Sequence, residues 1–247
     1  MPKDMLGTLP ATRTTADGPG LFAGAKAVIF DMDDTLINWR ESEMGAIDAL
    51  AASHFVPKGK SRDEVVGLYN AIMEETWEMW RTQRKWIYVA ERLRILEERL
   101  GLVGSEADRL GERFHAEAAS RLKLLSGAAE AMRAARRGRR TAILTNGRSE
   151  IQRPKIERFA LHREVDVVGI TGELGAWKPD PRAFQIVLDQ LGVAARDTVM
   201  VGDAIDFDII PAKKLGMRTV WISPAMPAHH PDADLVVRDP LGLLPHL

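Results

Sequence analysis

The sequence predicts an α/β fold: a parallel sheet flanked by helices, with an all-helical segment inserted after the first strand. Three observations carry this. Short β-branched runs alternate with helical stretches from Thr141 onward, the β signal vanishes between Asn38 and Leu124, and polar residues stand at the C-terminal ends of three strand runs. Such alternation gives a parallel sheet with right-handed crossovers, and ligands on these sheets bind beyond the carboxyl ends of the strands.

Residues 1–25 read as an N-terminal tail, since Pro, Gly, Thr and Asp recur there without a hydrophobic period. A tight surface loop is the alternative. The first strand is Ala27-Val28-Ile29-Phe30. In the insert, Val65, Leu68, Ile72 and Met79 share one helical stripe; Trp86, Val89, Leu93, Leu96 and Leu100 form another, and Leu110, Phe114 and Ala118 a third. Breaks at Pro57 and Gly59, at Gln83 to Lys85 and at Gly101 to Ser105 divide it into four helices. Further strands are expected at Ala142 to Leu144, Val165 to Ile170, Thr198 to Val201 and Arg218 to Ile222. The domain reading is therefore a core of residues 26–37 and 125–247, interrupted by a helical unit of residues 38–124.

Composition excludes several function classes. A chain of 247 residues, 45% hydrophobic and 28% charged, buries a sizeable core, which rules out global disorder. Thirty-four basic against 35 acidic side chains leave a formal charge of −1, against a sequence-independent grip on nucleic acid or an anionic membrane. The insert is no basic arm either, with 14 basic and 15 acidic residues. Arg136, Arg137, Arg139 and Arg140 flank Gly138 at a helix end, where cations complement the helix dipole. The absence of cysteine removes disulfides, zinc-thiolate sites and thiol nucleophiles. With no signal-peptide core and no apolar run of about 20 residues, the expected protein is cytoplasmic, with a small molecule as its partner and its oligomeric state open.

Two acidic clusters follow apolar strands. Asp31, Asp33 and Asp34 crowd the end of the first, and Asp203, Asp206 and Asp208 the end of the fourth. An acidic turn explains either one alone, but carboxylates from two adjacent loops are the oxygen ligands that magnesium prefers. Thr145, Asn146 and Gly147 supply a hydroxyl and main-chain N–H groups suited to a phosphate. Lys178, held before Pro179 in Trp177-Lys178-Pro179-Asp180-Pro181, aims a cation from a stiff loop. His229 and His230 lie in a Pro-rich loop without a spaced partner and are assigned no site.

In order and spacing, Asp31-Met32-Asp33-Asp34-Thr35-Leu36, Leu144-Thr145-Asn146-Gly147, Lys178-Pro179-Asp180-Pro181-Arg182-Ala183-Phe184 and Val201 to Asp208 resemble the haloacid dehalogenase (HAD) superfamily of phosphohydrolases. The likeness runs from Lys26 to Leu247. The Thr-Asn-Gly string followed by Gln152 and Lys155 is similar to the branch of bacterial pyrimidine nucleotidases and N-acylneuraminate-9-phosphatases. The resemblance implies a Rossmann-like core with a helical cap. It also implies Asp31 as a nucleophile forming an aspartyl-phosphate, and Asp33 as the acid that protonates the leaving oxygen and then activates water. Asp31, the main-chain carbonyl of Asp33 and Asp203 would bind Mg2+, with Asp208 in or just behind that shell. Thr145 and Lys178 would hold the phosphoryl group.

Asp34 stands where many relatives carry glycine, Pro211 where glycine is common, and Asp206 is an extra acid expected in solvent. An acid at Asp33 favours phosphate ester hydrolysis over carbon–halogen cleavage, since a halide needs no proton. The substrate class is a sugar phosphate, a nucleoside monophosphate or a phosphoglycolate-like compound. The alternatives are a catalytically weak phosphate-binding regulator of the same fold and, behind it, a 2-haloacid dehalogenase. Tyr69, Met73, Trp77 and Trp80 form a stripe whose commoner role is packing the cap's own core, the alternative being a substrate platform. Arg81, Arg84 and Lys85 follow as a solvated turn or a second anion contact.

Overall fold

The computed structural model describes residues 20–83, 85–102 and 106–247. Most of the expected tail, Arg84 and the break at 103–105 lie outside the described residues. The chain divides into two compact units, one of Ile37–Leu124 and one that joins the residues up to Leu36 with Leu125–Leu247.

In the first of these, α1 (Trp39–Leu50) continues through a π turn and a 3₁₀ turn to Lys58, and α2 (Arg62–Gln83), α3 (Val89–Arg99) and α4 (Ala107–Arg121) follow. Most of the predicted stripe residues form its interior, where Ile47, Leu50, Ile72, Leu93, Leu96 and Phe114 are buried together, while Leu68, Met79 and Trp86 are half-buried. A polar knot sits among them: buried Glu43 accepts hydrogen bonds from the Tyr69 hydroxyl at 3.2 Å and from Arg92 at 3.0 Å. Tyr69, Met73 and Trp80 are buried and Trp77 is half-buried. Trp86 meets Trp77 and Trp80 edge-on at 5.9 and 5.5 Å, an arrangement aromatic rings favour inside a core. Arg81 is exposed and pairs with Glu78 at 3.0 Å. At the ends of the unit Ile37 bridges Leu124, and the Asn38 side chain accepts from the Lys123 N–H at 2.7 Å.

The other unit is built on β1 (Ala27–Phe30), after which come α5 (Ala128–Ala135), β2 (Arg140–Thr145), α6 (Ser149–Arg158), β3 (Val167–Ile170), the single turn α7 (Thr171–Leu174) and α8 (Pro181–Leu191). β4 (Thr198–Gly202), α9 (Ile210–Lys214), β5 (Arg218–Ile222) and β6 (Leu235–Val237) complete it. All six strands are parallel in the order β3-β2-β1-β4-β5-β6. Every β1 side chain is buried, as a central parallel strand with both faces covered requires, so the run is continuously apolar rather than alternating. Asp180 caps α8 by accepting from the Arg182 N–H at 2.9 Å, with Pro181 in the first turn. From there Phe184, Val187 and Leu188 join Ile29, Leu144 and Met200 in the core. β6 is an addition to the expected strands; three residues beside a Pro-rich loop carry too short a pattern to read.

Phe30 lies opposite Ile143 of β2 and Val201 of β4, so the three strands end close together, β4 at Gly202 and β2 at Thr145. The chain fills one side of β1 and then the other, and this reversal opens a crevice at the carboxyl edge.

Residues 20–25, the described part of the expected tail, have contacts with the sheet unit. Phe22 is only 1% exposed, the Arg139 guanidinium lies 5.8 Å from its ring centre, and Arg218 donates to the carbonyls of Leu21 and Ala23. Residues 20–25 therefore pack on the sheet unit. Arg136 and Arg140 approach Asp166 at 3.8 and 3.7 Å, which gives these arginines partners within the fold.

Candidate active site

Asp31 leaves β1 with its N–H bonded to the Val201 carbonyl at 2.9 Å, which continues the ladder one residue and delivers the side chain at these strand ends. Its Oδ1 accepts from Lys178 Nζ at 2.7 Å, and the same ammonium donates to Asp208 Oδ1 at 2.5 Å. Lys178 is 2% exposed. A buried lysine is costly without anionic partners, and here it has two. Burial opposes its charge, but Asp208 and Asp31 outweigh that and raise its pKa above the ordinary lysine value. Its loop is fixed by a reciprocal pair: the Lys178 N–H donates to Asn146 Oδ1 at 2.9 Å and Asn146 Nδ2 to the Lys178 carbonyl at 3.0 Å.

Asp31, Asp203 and Asp208 each bring a carboxylate oxygen within 4.8 Å of the others. Burial pushes Asp31 up to about 7, with Lys178 acting against it and Asp208 with it. Asp203 is raised well above its usual value by loss of solvation and then by Asp31, Asp208 and Asp34. Three clustered carboxylates with one ammonium leave excess negative charge in a poorly solvated place, which protons or a cation must offset. Thr35 and Trp221 steady Asp203, the first by its hydroxyl on Oδ1 at 3.4 Å and the second by Nε1 on the main-chain oxygen at 2.8 Å. Asp208 reaches the cluster because residue 202 is glycine: a Cβ there would lie 2.4 Å from Asp208 Oδ2. Asp206 is exposed and stands outside the cluster, as expected of it.

Asp34 has φ +59°, in the left-handed region that glycine favours and aspartate tolerates, which accounts for both residue types suiting this position. Thr145 is buried at the end of β2. The Gly147 N–H donates to Thr171 Oγ1 at 3.1 Å, which ties the Thr145-Asn146-Gly147 turn to the end of β3.

Two site residues were not assigned a role from sequence. Lys155 Nζ lies 2.9 Å from both carboxylate oxygens of Asp33. Gln152 Nε2 lies 2.9 Å from Asp33 Oδ2, 2.7 Å from Thr145 Oγ1 and 3.0 Å from the Asn146 carbonyl. Their i, i+3 spacing on α6 was the available signal.

A parallel sheet that reverses at β1 and gathers carboxylates and a buried lysine at that reversal defines a Rossmann-like enzyme with an acidic centre. The chain belongs to the haloacid dehalogenase-like hydrolase family, whose model matches residues 25–216. It is 31% identical over 240 residues to a phosphoserine phosphatase of Thermus thermophilus, covering 87% of this chain and 96% of that one. To an N-acylneuraminate-9-phosphatase of Mus musculus it is 30% identical over 206 residues, covering 80% and 82%. A HAD-hydrolase structure from Bacillus subtilis, solved bound to magnesium, superposes with a TM-score of 0.76 at 22% identity over 90% of this chain and 97% of that one. The protein is a hydrolase, and no helix among the described residues is long and apolar enough to cross a membrane.

Proposed function

We propose that this hydrolase cleaves phosphate monoesters of small metabolites through an aspartyl-phosphate. The observation that carries the reading is the division of labour between two carboxylates two residues apart. Asp31 sits on Lys178 within the acidic cluster, whereas Asp33 has its own donors, Lys155 and Gln152. In the first step an Asp31 carboxylate oxygen bonds to phosphorus, the ester P–O bond breaks, and the leaving oxygen takes a proton from Asp33. In the second, Asp33 removes a proton from water, the water oxygen bonds to phosphorus, and the bond to Asp31 breaks. Thr145 and Lys178 hold the phosphoryl oxygens, where positioned donors and cations supply most of the rate.

The donor set suits a hard divalent cation, because three carboxylates, Asp31 and Asp208 buried and Asp203 half-buried, share one ammonium and two of them are raised in pKa. Mg2+ would be held by Asp31, Asp203 and the Asp33 main-chain carbonyl, and would neutralise charge on the phosphoryl group. Both Asp208 oxygens already accept hydrogen bonds, from Lys178 and from the Ala204 N–H, which favours a place for it behind the metal ligands. The helical unit is read as the cap that selects the substrate, and the phosphoserine and acylneuraminate phosphate relatives support small, charged organic phosphates. The test is hydrolysis of p-nitrophenyl phosphate and of a panel of sugar phosphates, phosphoamino acids and nucleoside monophosphates, with Mg2+ and with chelator. Asp31→Asn is expected to lower turnover by roughly 10³-fold or more while keeping the fold. Activity within tenfold of wild type would remove Asp31 as the nucleophile.

A further inference from the structure

α6 contains few apolar residues, yet it turns a glutamine and a lysine inward, with Gln152 1% and Lys155 5% exposed. Burying such groups is unfavourable unless each is fully engaged. Their engagement converges on one carboxyl group. Lys155 spans both Asp33 oxygens, while the Gln152 amide touches Asp33, the Thr145 hydroxyl and the Asn146 carbonyl at once. The seat is built for Gln152 on its other side as well. Gly147 has φ +148°, and a Cβ there would lie 2.6 Å from Gln152 Cγ, so the turn omits a side chain where the glutamine passes.

We propose that Lys155 and Gln152 are positioning residues for proton transfer by Asp33, and that Gln152 couples the position of that carboxyl group to the Thr145 hydroxyl. The inference rests on the reading of Asp33 as acid and then base. An aspartate on a loop has two free side-chain torsions, and it must present an oxygen first to the leaving group and then to water. Donors on both oxygens from a rigid helix restrict those torsions before substrate arrives. Asp33 keeps some access to solvent, its side chain being 23% exposed. A misplacement of about 1 Å in such a group costs on the order of 10²-fold in rate.

Leaving-group dependence tests this, because general-acid help matters more to a poor leaving group than to a good one. The measurement is kcat/KM for an alkyl phosphate and for p-nitrophenyl phosphate with wild type, Asp33→Asn, Lys155→Met, Lys155→Arg and Gln152→Leu, each checked for folding by circular dichroism. Lys155→Met is expected to lose about 10²-fold on the alkyl ester and at least about tenfold less on the aryl ester. Lys155→Arg should recover much of the alkyl loss. Gln152→Leu should show the same bias together with a raised KM, since it also frees Thr145. The positioning role is overturned if folded Lys155→Met and Gln152→Leu lower both esters equally while Asp33→Asn separates them. Should Lys155→Met not fold, Gln152→Leu decides between the same two outcomes. If Asp33→Asn itself fails to separate the esters, the reading of Asp33 falls and the positioning role with it.

Discussion

Replacing Gly202 by alanine adds one methyl group at the end of β4, and the structure says what that methyl would meet. It would lie 2.4 Å from Asp208 Oδ2 and 2.5 Å from both Cβ and Cγ of the same residue. Unstrained contacts of carbon need about 3.5 Å, so Asp208 must retreat by roughly 1 Å. Its Oδ1 is 2.5 Å from Lys178 and its Oδ2 3.2 Å from the Ala204 N–H, and a retreat of that size breaks at least one of these bonds. Overpacking of this kind costs about 1–3 kcal/mol, equivalent to a fall in Tm of roughly 2–12 °C for a domain of this size. The catalytic loss should be larger than the stability loss implies, on the order of 10²-fold, because Lys178 would no longer be held between Asp31 and Asp208. Gly67→Ala is the matched control, the same methyl placed on α2 with nothing within 4 Å. Thermal unfolding and a Mg2+ titration of kcat, run on both variants, read the two effects. A folded Gly202→Ala enzyme with activity within threefold of wild type and the same Mg2+ requirement would refute the placement of Asp208 in the working centre.

Asp203→Asn should weaken Mg2+ dependence and turnover together, since it removes a charged oxygen from the cluster, whereas exposed Asp206→Asn should do much less; a titration ranking them the other way refutes the metal assignment. Asp31 titrates at about 7 in the folded chain against an ordinary 3.8, so its contribution to stability is complete below the ordinary value and is lost as pH rises through about 7. In chelator the Asp31 contribution should therefore favour the fold more at about pH 6 than at about pH 8, a difference that Asp31→Asn flattens; because Mg2+ needs the ionised carboxylate, its addition should raise Tm more at about pH 8. Melting curves showing the larger Mg2+ effect at the lower pH would contradict this. Exchanging residues 38–124 for the corresponding segment of a related phosphatase should change the ranking of substrates while Mg2+-dependent hydrolysis of p-nitrophenyl phosphate persists, and a folded chimera with the original ranking would move specificity to loops such as Gly147 to Gln152 and Gly172 to Trp177.

The strands on which the centre stands were legible because fully buried parallel strands need no alternation. The apolar run Ala27 to Phe30 is followed directly by Asp31, and Val199 to Val201 by Gly202 and then Asp203, and that boundary is a local property of the chain. The helical stripes of residues 38–124 were legible for a similar reason, since a long amphipathic helix repeats its signal several times. β6 repeats nothing, and its pairing depends on β5 being there to receive it. The use of each polar group was decided by tertiary contact. The Gly147 N–H donates to Thr171, 24 residues away. Gln152 and Lys155 meet Asp33 across 119 and 122 residues, from a helix whose apolar residues are too few to reveal which face is buried. Hydrophobic pattern is written along the chain, whereas the partner of a buried polar group is set by which strand end and which helix the sheet order brings side by side.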